Sequence, residues 1–197
     1  MPEHGDDGST FDLSGRTVAI LATDGFEQAE LLEPRKALRE AGATAHVISI
    51  PETADTVRGW RDGHWARRIE VDGLVGEVDA SDYDALVLPG GVMNPDRLRR
   101  NEDAVEFVRA FFRDSKPVAA ICHGPWLLVE ADAVRERRVT SWPSLRTDLE
   151  NAGADWVDEE VVVDSGLVTS RRPEDLPAFN RKMLEEIHEG AHAGQTL

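Results

Sequence analysis

Apolar residues along this chain gather into short unbroken runs separated by polar, amphipathic stretches. The runs Thr17 to Ala22, Ala45 to Ile50, Ala85 to Leu88, Pro117 to Ile121, Glu160 to Val163 and Leu167 to Thr169 are too short for helices. They lack the alternation of a half-exposed strand and so predict strands buried on both faces. Between them, apolar positions recur at helical spacing: Val105, Val108, Phe111 and Phe112 share one face of a helix running from about Pro95 or Glu102 to Phe112. Further helices are expected from Glu27 to Ala41 (closed by Gly42, with Pro34 inside), after the Cys122 turn through Glu130, from Leu145 to Asn151 before Gly153, and from Pro173 to His188. Pro51 to Asp79, rich in Gly, Asp and Arg, predicts hairpins on the surface or at a subunit contact. Strands alternating with helices predict an α/β, doubly wound three-layer sandwich with a mostly parallel sheet. Residues 15–190 form its single domain. Met1 to Ser14 is expected to be a flexible acidic tail and 191–197 a disordered one.

Composition adjusts this picture in two ways. The single cysteine, Cys122, rules out an internal disulfide and suits a reducing cytoplasm, where the protein is expected. No apolar stretch approaches the ~20 residues of a membrane helix, and no signal-peptide core precedes the first strand. The formal net charge of -16 makes nucleic acid and anionic membrane poor partners. Lysine occurs only at Lys36, Lys116 and Lys182; acids plus arginine on that scale point to a surface adapted to high salt.

The chemistry concentrates at Pro117-Val118-Ala119-Ala120-Ile121-Cys122-His123-Gly124-Pro125-Trp126, a buried strand feeding a sharp turn and then a helix. A thiol on that turn sits at the carboxyl end of a strand, beside a helix N-terminus that favours thiolate, in the geometry of a nucleophile elbow. In a parallel sheet, ligands bind outside the strands' carboxyl ends. Two more such ends carry Thr23-Asp24-Gly25-Phe26-Glu27 with Glu30, and Pro89-Gly90-Gly91. One pocket then unites a nucleophile (Cys122), oxyanion donors in the N–H groups of Gly91 and His123, and a carboxyl from Glu27 or Glu30 against the sulfur. Neighbours on a tight elbow usually point apart, so His123 need not contact Cys122 closely enough to serve as its base.

The Pro-Gly-Gly turn, the Ala-x-x-Cys-His-Gly-Pro elbow and Gly-Phe-Glu-x-x-Glu after the first strand resemble the PfpI family, in the superfamily of the parkinsonism-associated deglycase. The resemblance runs from about Arg16 to Glu189 and includes Arg171-Arg172-Pro173-Glu174-Asp175-Leu176-Pro177. It implies a flavodoxin-like, class I glutamine amidotransferase-like core. It also implies Cys122 as nucleophile, His123 beside it, Glu30 (with Glu27 nearby) as the carboxyl on the sulfur, and Gly91 in the oxyanion hole. Asp96 resembles the acidic partner of the histidine, which in such proteins comes from a neighbouring subunit of a dimer or hexamer. Gly90, Trp126 and Trp142 are expected around the substrate, the tryptophans narrowing access or packing as core. The implied activity is cysteine-dependent hydrolysis of glyoxal, methylglyoxal or their protein adducts, without cofactor or metal. The alternatives are an intracellular cysteine peptidase and a redox-sensing stress protein oxidised at Cys122.

Three weaker patterns carry less. His188-Glu189-Gly190-Ala191-His192 matches H-E-x-x-H but contains a glycine and lies near the chain's end. Asp24-Gly25 lacks the Gly-Lys-Ser/Thr of a phosphate loop. The acidic pairs Asp82/Asp84 and Glu159/Glu160 read as solvated turns.

Overall fold

The computed structural model describes residues 11–53 and 55–197. In chain order the elements are β1 (Thr17–Leu21), β2 (Phe26–Glu27), α1 (Gln28–Glu40), β3 (Thr44–Ser49), β4 (Thr56–Arg61), β5 (His64–Glu70) and β6 (Gly73–Leu74). There follow β7 (Ala85–Leu88), α2 (Met93–Leu98), α3 (Glu102–Arg113), β8 (Val118–Ile121), α4 (Pro125–Glu130) and β9 (Arg138–Val139). The chain closes with α5 (Arg146–Asn151), β10 (Asp155–Trp156), β11 (Val161–Asp164), β12 (Leu167–Ser170) and α6 (Leu176–Glu189).

Seven strands form the central sheet in the order β11-β12-β8-β7-β1-β3-β6. Every pairing in it is parallel except β11 with β12. Because side chains alternate along a strand, each strand feeds two cores. Ala19, Leu21, Leu86, Leu88 and Ala120 face one layer with Phe107, Phe111 and Phe112 of α3, Leu127 of α4 and Leu149 of α5. Val18, Ile20, Val87, Ala119 and Ile121 face the other with Leu31 and Leu38 of α1 and Phe179, Met183 and Ile187 of α6. This is the flavodoxin-like three-layer sandwich anticipated from the apolar runs.

The predicted hairpin is β4–β5, turning at Asp62 and Gly63, both at positive φ. It joins β2 in a separate three-stranded sheet. The single helix read from Pro95 or Glu102 is two, α2 and α3, separated at Asn101. The side chain of Asn101 caps α3 by accepting from the Ala104 N–H at 2.9 Å.

The chain ends differ from expectation where they are described. Residues 1–10 of the anticipated acidic tail lie outside the described residues. Leu13 is fully buried, and its N–H donates to Ala41 O at 2.7 Å. The segment expected to be a disordered tail, 191–197, is fastened to the domain. Gln195 is fully buried and donates to Lys116 O at 2.7 Å, while Arg137 Nη2 donates to Thr196 O at 2.6 Å. The Gln195 side-chain amide thus pairs a backbone carbonyl in the turn between α3 and β8.

Candidate active site

The strand order reverses between β1 and β7, and the loops leaving β1, β7 and β8 converge outside their carboxyl ends. Cys122 follows β8 directly at φ 62°, a left-handed conformation that costs a non-glycine residue energy and that surrounding contacts must hold. Its N–H donates to Ser170 O, its carbonyl accepts from Trp142 N–H, and Gly124 packs so tightly under the turn that a Cβ there would overlap Leu88 O. The thiol is 6% exposed and borders a cavity of about 780 Å³.

Glu30, in the first turn of α1, is fully buried. Its Oε2 accepts from Gly90 N–H at 2.8 Å, and the buried Oε1 has no hydrogen-bond partner among the described residues. Burial raises its pKa from the ordinary 4.5 to about 8. Burial also pushes the Cys122 thiol up, with the Glu30 charge adding to the rise, while N–H groups of Gly91 and His123 aimed at the sulfur pull it down. The sequence placed the thiol beside a helix terminus and so predicted a thiolate at neutral pH. In the structure, burial opposes that. Ionisation of Glu30 therefore holds the neighbouring thiol protonated, and the two acids are coupled.

His123 does not point away. Its Nδ1 is 3.1 Å from Cys122 Sγ, because the left-handed turn swings the two side chains together. Burial lowers its pKa to about 4, so the imidazole is neutral at pH 7. Its ring stacks on Trp142 at 5.8 Å and meets the edge of Trp126 at 5.3 Å.

Gly91 adopts φ 77°, and a Cβ there would strike Gly25 O and the Glu27 amide. Gly90 does not line the cavity. A Cβ on it would fall 2.6 Å from Glu30 Oε2 and 2.7 Å from Cys122 Cβ, so its bareness lets carboxyl and thiol meet. Trp126 is also absent from the cavity wall; its Nε1 donates to Asp148 at 2.8 Å behind His123. Glu27 and Trp142 do line the cavity, and burial raises the Glu27 pKa. Asp96 lies exposed on α2, and no hydrogen bond joins it to His123 among the described residues.

Several wall residues were not singled out from the sequence. Trp60 reaches the cavity from β4 because Asp24 Oδ1 accepts from Arg58 N–H at 2.6 Å and Arg58 O accepts from Gly25 N–H at 2.8 Å. Asn94, fully buried, accepts from Thr23 N–H at 2.8 Å and donates to Pro89 O and Gly90 O at 2.9 and 3.1 Å, clamping the β1 and β7 loops together. The Asn three residues beyond Gly91 was the available signal. Arg171 and Arg172 close the far wall.

The H-E-x-x-H pattern does not form a helical pair. Helix α6 stops at Glu189; His188 Nδ1 lies 3.2 Å from Asp12 O, whereas His192 turns to Glu186. Asp84 accepts from Thr17 N–H, and Glu159 pairs with Arg138.

Fold and site together define an α/β sandwich with a thiol on a nucleophile elbow at the sheet's switch point. The DJ-1/PfpI family model matches residues 16–186, and the chain belongs to that family. It is 48% identical over 171 residues to General stress protein 18 of Bacillus subtilis, covering 86% of this chain and 96% of that protein. It is 45% identical over 171 residues to Protein/nucleic acid deglycase 2 of Escherichia coli, with the same coverage of 86% and 96%. The crystal structure of Drosophila melanogaster DJ-1beta superposes with a TM-score of 0.77 at 27% identity, over 88% of this chain and 94% of that one. Among the described residues no helix is long and apolar enough to cross a membrane.

Proposed function

We propose that this chain is a cysteine-dependent hydrolase acting on glyoxal, methylglyoxal or their adducts with protein amines and thiols. One observation carries the reading: the Cys122 thiol, on a strained elbow at a cavity, lies beside the buried Glu30 carboxyl and the backbone N–H groups of Gly91 and His123. Relatives named as deglycases support the same class.

The sulfur adds to the aldehyde carbon, forming the S–C bond as the carbonyl pair moves to oxygen, and the thiol proton follows to that oxygen. The N–H groups of Gly91 and His123 stabilise the charge that develops there. Glu30 in its ionised form, with Glu27 in the same wall, takes the carbon-bound proton and returns it to the neighbouring carbonyl carbon while the hydroxyl proton passes to that carbonyl's oxygen, turning the hemithioacetal into a thioester. Water then cleaves the thioester, releasing a hydroxy acid and the thiol. The neutral His123 imidazole accepts a proton from the water and passes it to the leaving sulfur. These steps use no cofactor.

The reading includes a homo-oligomer, dimer or hexamer, in which Asp96 of a neighbouring copy approaches His123. It is supported by the exposure of Asp96 and by burial being the sole cause of the lowered His123 pKa.

The test sets wild type beside Cys122→Ser on methylglyoxal, a glycated amine and a fluorogenic peptide. Lactate from methylglyoxal, lost at least a hundredfold in Cys122→Ser, is expected, with the peptide intact. Stoichiometric peroxide oxidation of Cys122 without turnover of any of the three would replace the hydrolase with a redox sensor.

A further inference from the structure

Two arginines border the cavity, and they are in opposite electrostatic states. Arg171 is spent: its Nε and Nη2 donate to Asp175 at 2.9 and 3.0 Å, and its Nη1 donates to Asp158 at 2.8 Å. Arg172, the next residue, makes no ion pair among the described residues, and its buried Nε has no hydrogen-bond partner. Its guanidinium lies 5.9 Å over the Trp142 ring, and Trp142 stacks on His123 at 5.8 Å. The cation therefore sits within two ring spacings of the nucleophile's neighbour, in the same cavity. Glu27 and Glu174 line that cavity too, without pairing with Arg172. A guanidinium at a cavity wall with no carboxylate of its own is the side chain best suited to grip a ligand's carboxylate.

We propose that Arg172 is a specificity-determining residue that takes a carboxylate borne by the carrier of the dicarbonyl, several bonds from the reacting carbon. The preferred substrates are then adducts on carboxylate-bearing amines or thiols, such as free amino acids, over neutral ones. Substrate preference rests on the hydrolase reading above; anion recognition does not.

The test uses N-iodoacetyl-β-alanine and its neutral amide, which alkylate Cys122 with or without a carboxylate at that distance. The ratio of the two rates is the readout, since a change in thiol ionisation moves both rates together. Arg172→Gln should lower the charged-to-neutral ratio about tenfold, the factor that one charge-assisted hydrogen bond supplies. Arg172→Lys should keep most of it, and molar KCl should shrink the wild-type preference. Equal ratios in wild type and Arg172→Gln overturn the proposal. In turnover, the methylglyoxal hemithioacetal of N-acetylcysteine should have a lower KM than that of N-acetylcysteinamide, and Arg172→Gln should erase the difference. Absence of turnover with a ratio that still depends on Arg172 refutes the hydrolase and leaves the carboxylate site standing.

Discussion

Glu30 is fully buried beside Cys122, and the stability of the fold registers whether its carboxyl holds a proton. The Glu30 pKa rises from 4.5 to about 8 on folding, so the native state favours the protonated carboxyl. Its contribution to stability is fully present below pH 4.5 and is lost as pH climbs toward 8. Glu30→Gln cannot ionise, so its melting temperature should fall less than the wild type's across that interval. Parallel melting curves would show that Glu30 is already ionised at low pH. Reactivity has its own signature. Alkylation of wild type by iodoacetamide should be slow at neutral pH, because burial and the Glu30 charge both hold the thiol protonated. Glu30→Gln removes that charge, so alkylation above pH 8 should speed up, while turnover should fall ~100-fold with the loss of the proton carrier.

The elements that support this couple were unequally readable. Strands buried on both faces announce themselves as unbroken apolar runs, and the turns at Thr23, Pro89 and Cys122 follow from where those runs stop. Contacts made across the chain left no such mark. Trp60 reaches the cavity only because the β4–β5 hairpin is held to the β1 loop by Asp24 and Arg58. Trp126 read as either narrowing the pocket or packing in the core, and the first turn of α4 carries it behind His123 to Asp148, packed against the core. The closeness of Cys122 and His123 depended on a positive φ, which residue type alone did not disclose. Two asparagines mark the same divide. Asn101 caps α3 with one hydrogen bond, a local role, and Asn101→Ala should cost about 1 kcal/mol. Asn94 satisfies three buried backbone groups from two loops, and Asn94→Ala should cost about 3 kcal/mol by denaturant unfolding. Equal costs would remove the clamp from the account of the site.

Across the whole molecule, a formal charge of -16 sets carboxylates against one another over a surface where many ion pairs, such as Lys36–Glu40, Arg61–Asp62 and Arg135–Asp132, are exposed and weak. Salt shortens the reach of that repulsion to about 3 Å near 1 M. The melting temperature should therefore climb by several degrees between dilute buffer and molar KCl; a flat response would dissociate the acidic surface from salt tolerance. One last consequence belongs to the bend at Asp62 and Gly63, exposed at the hairpin's tip and far along the chain from either half of the proton couple. A cut there leaves the carboxyl in one polypeptide and the sulfur in the other. Two such pieces, each mute toward a thiol reagent tuned to the intact site, would regain their voice only on reunion, which makes this fold a natural template for a complementation reporter.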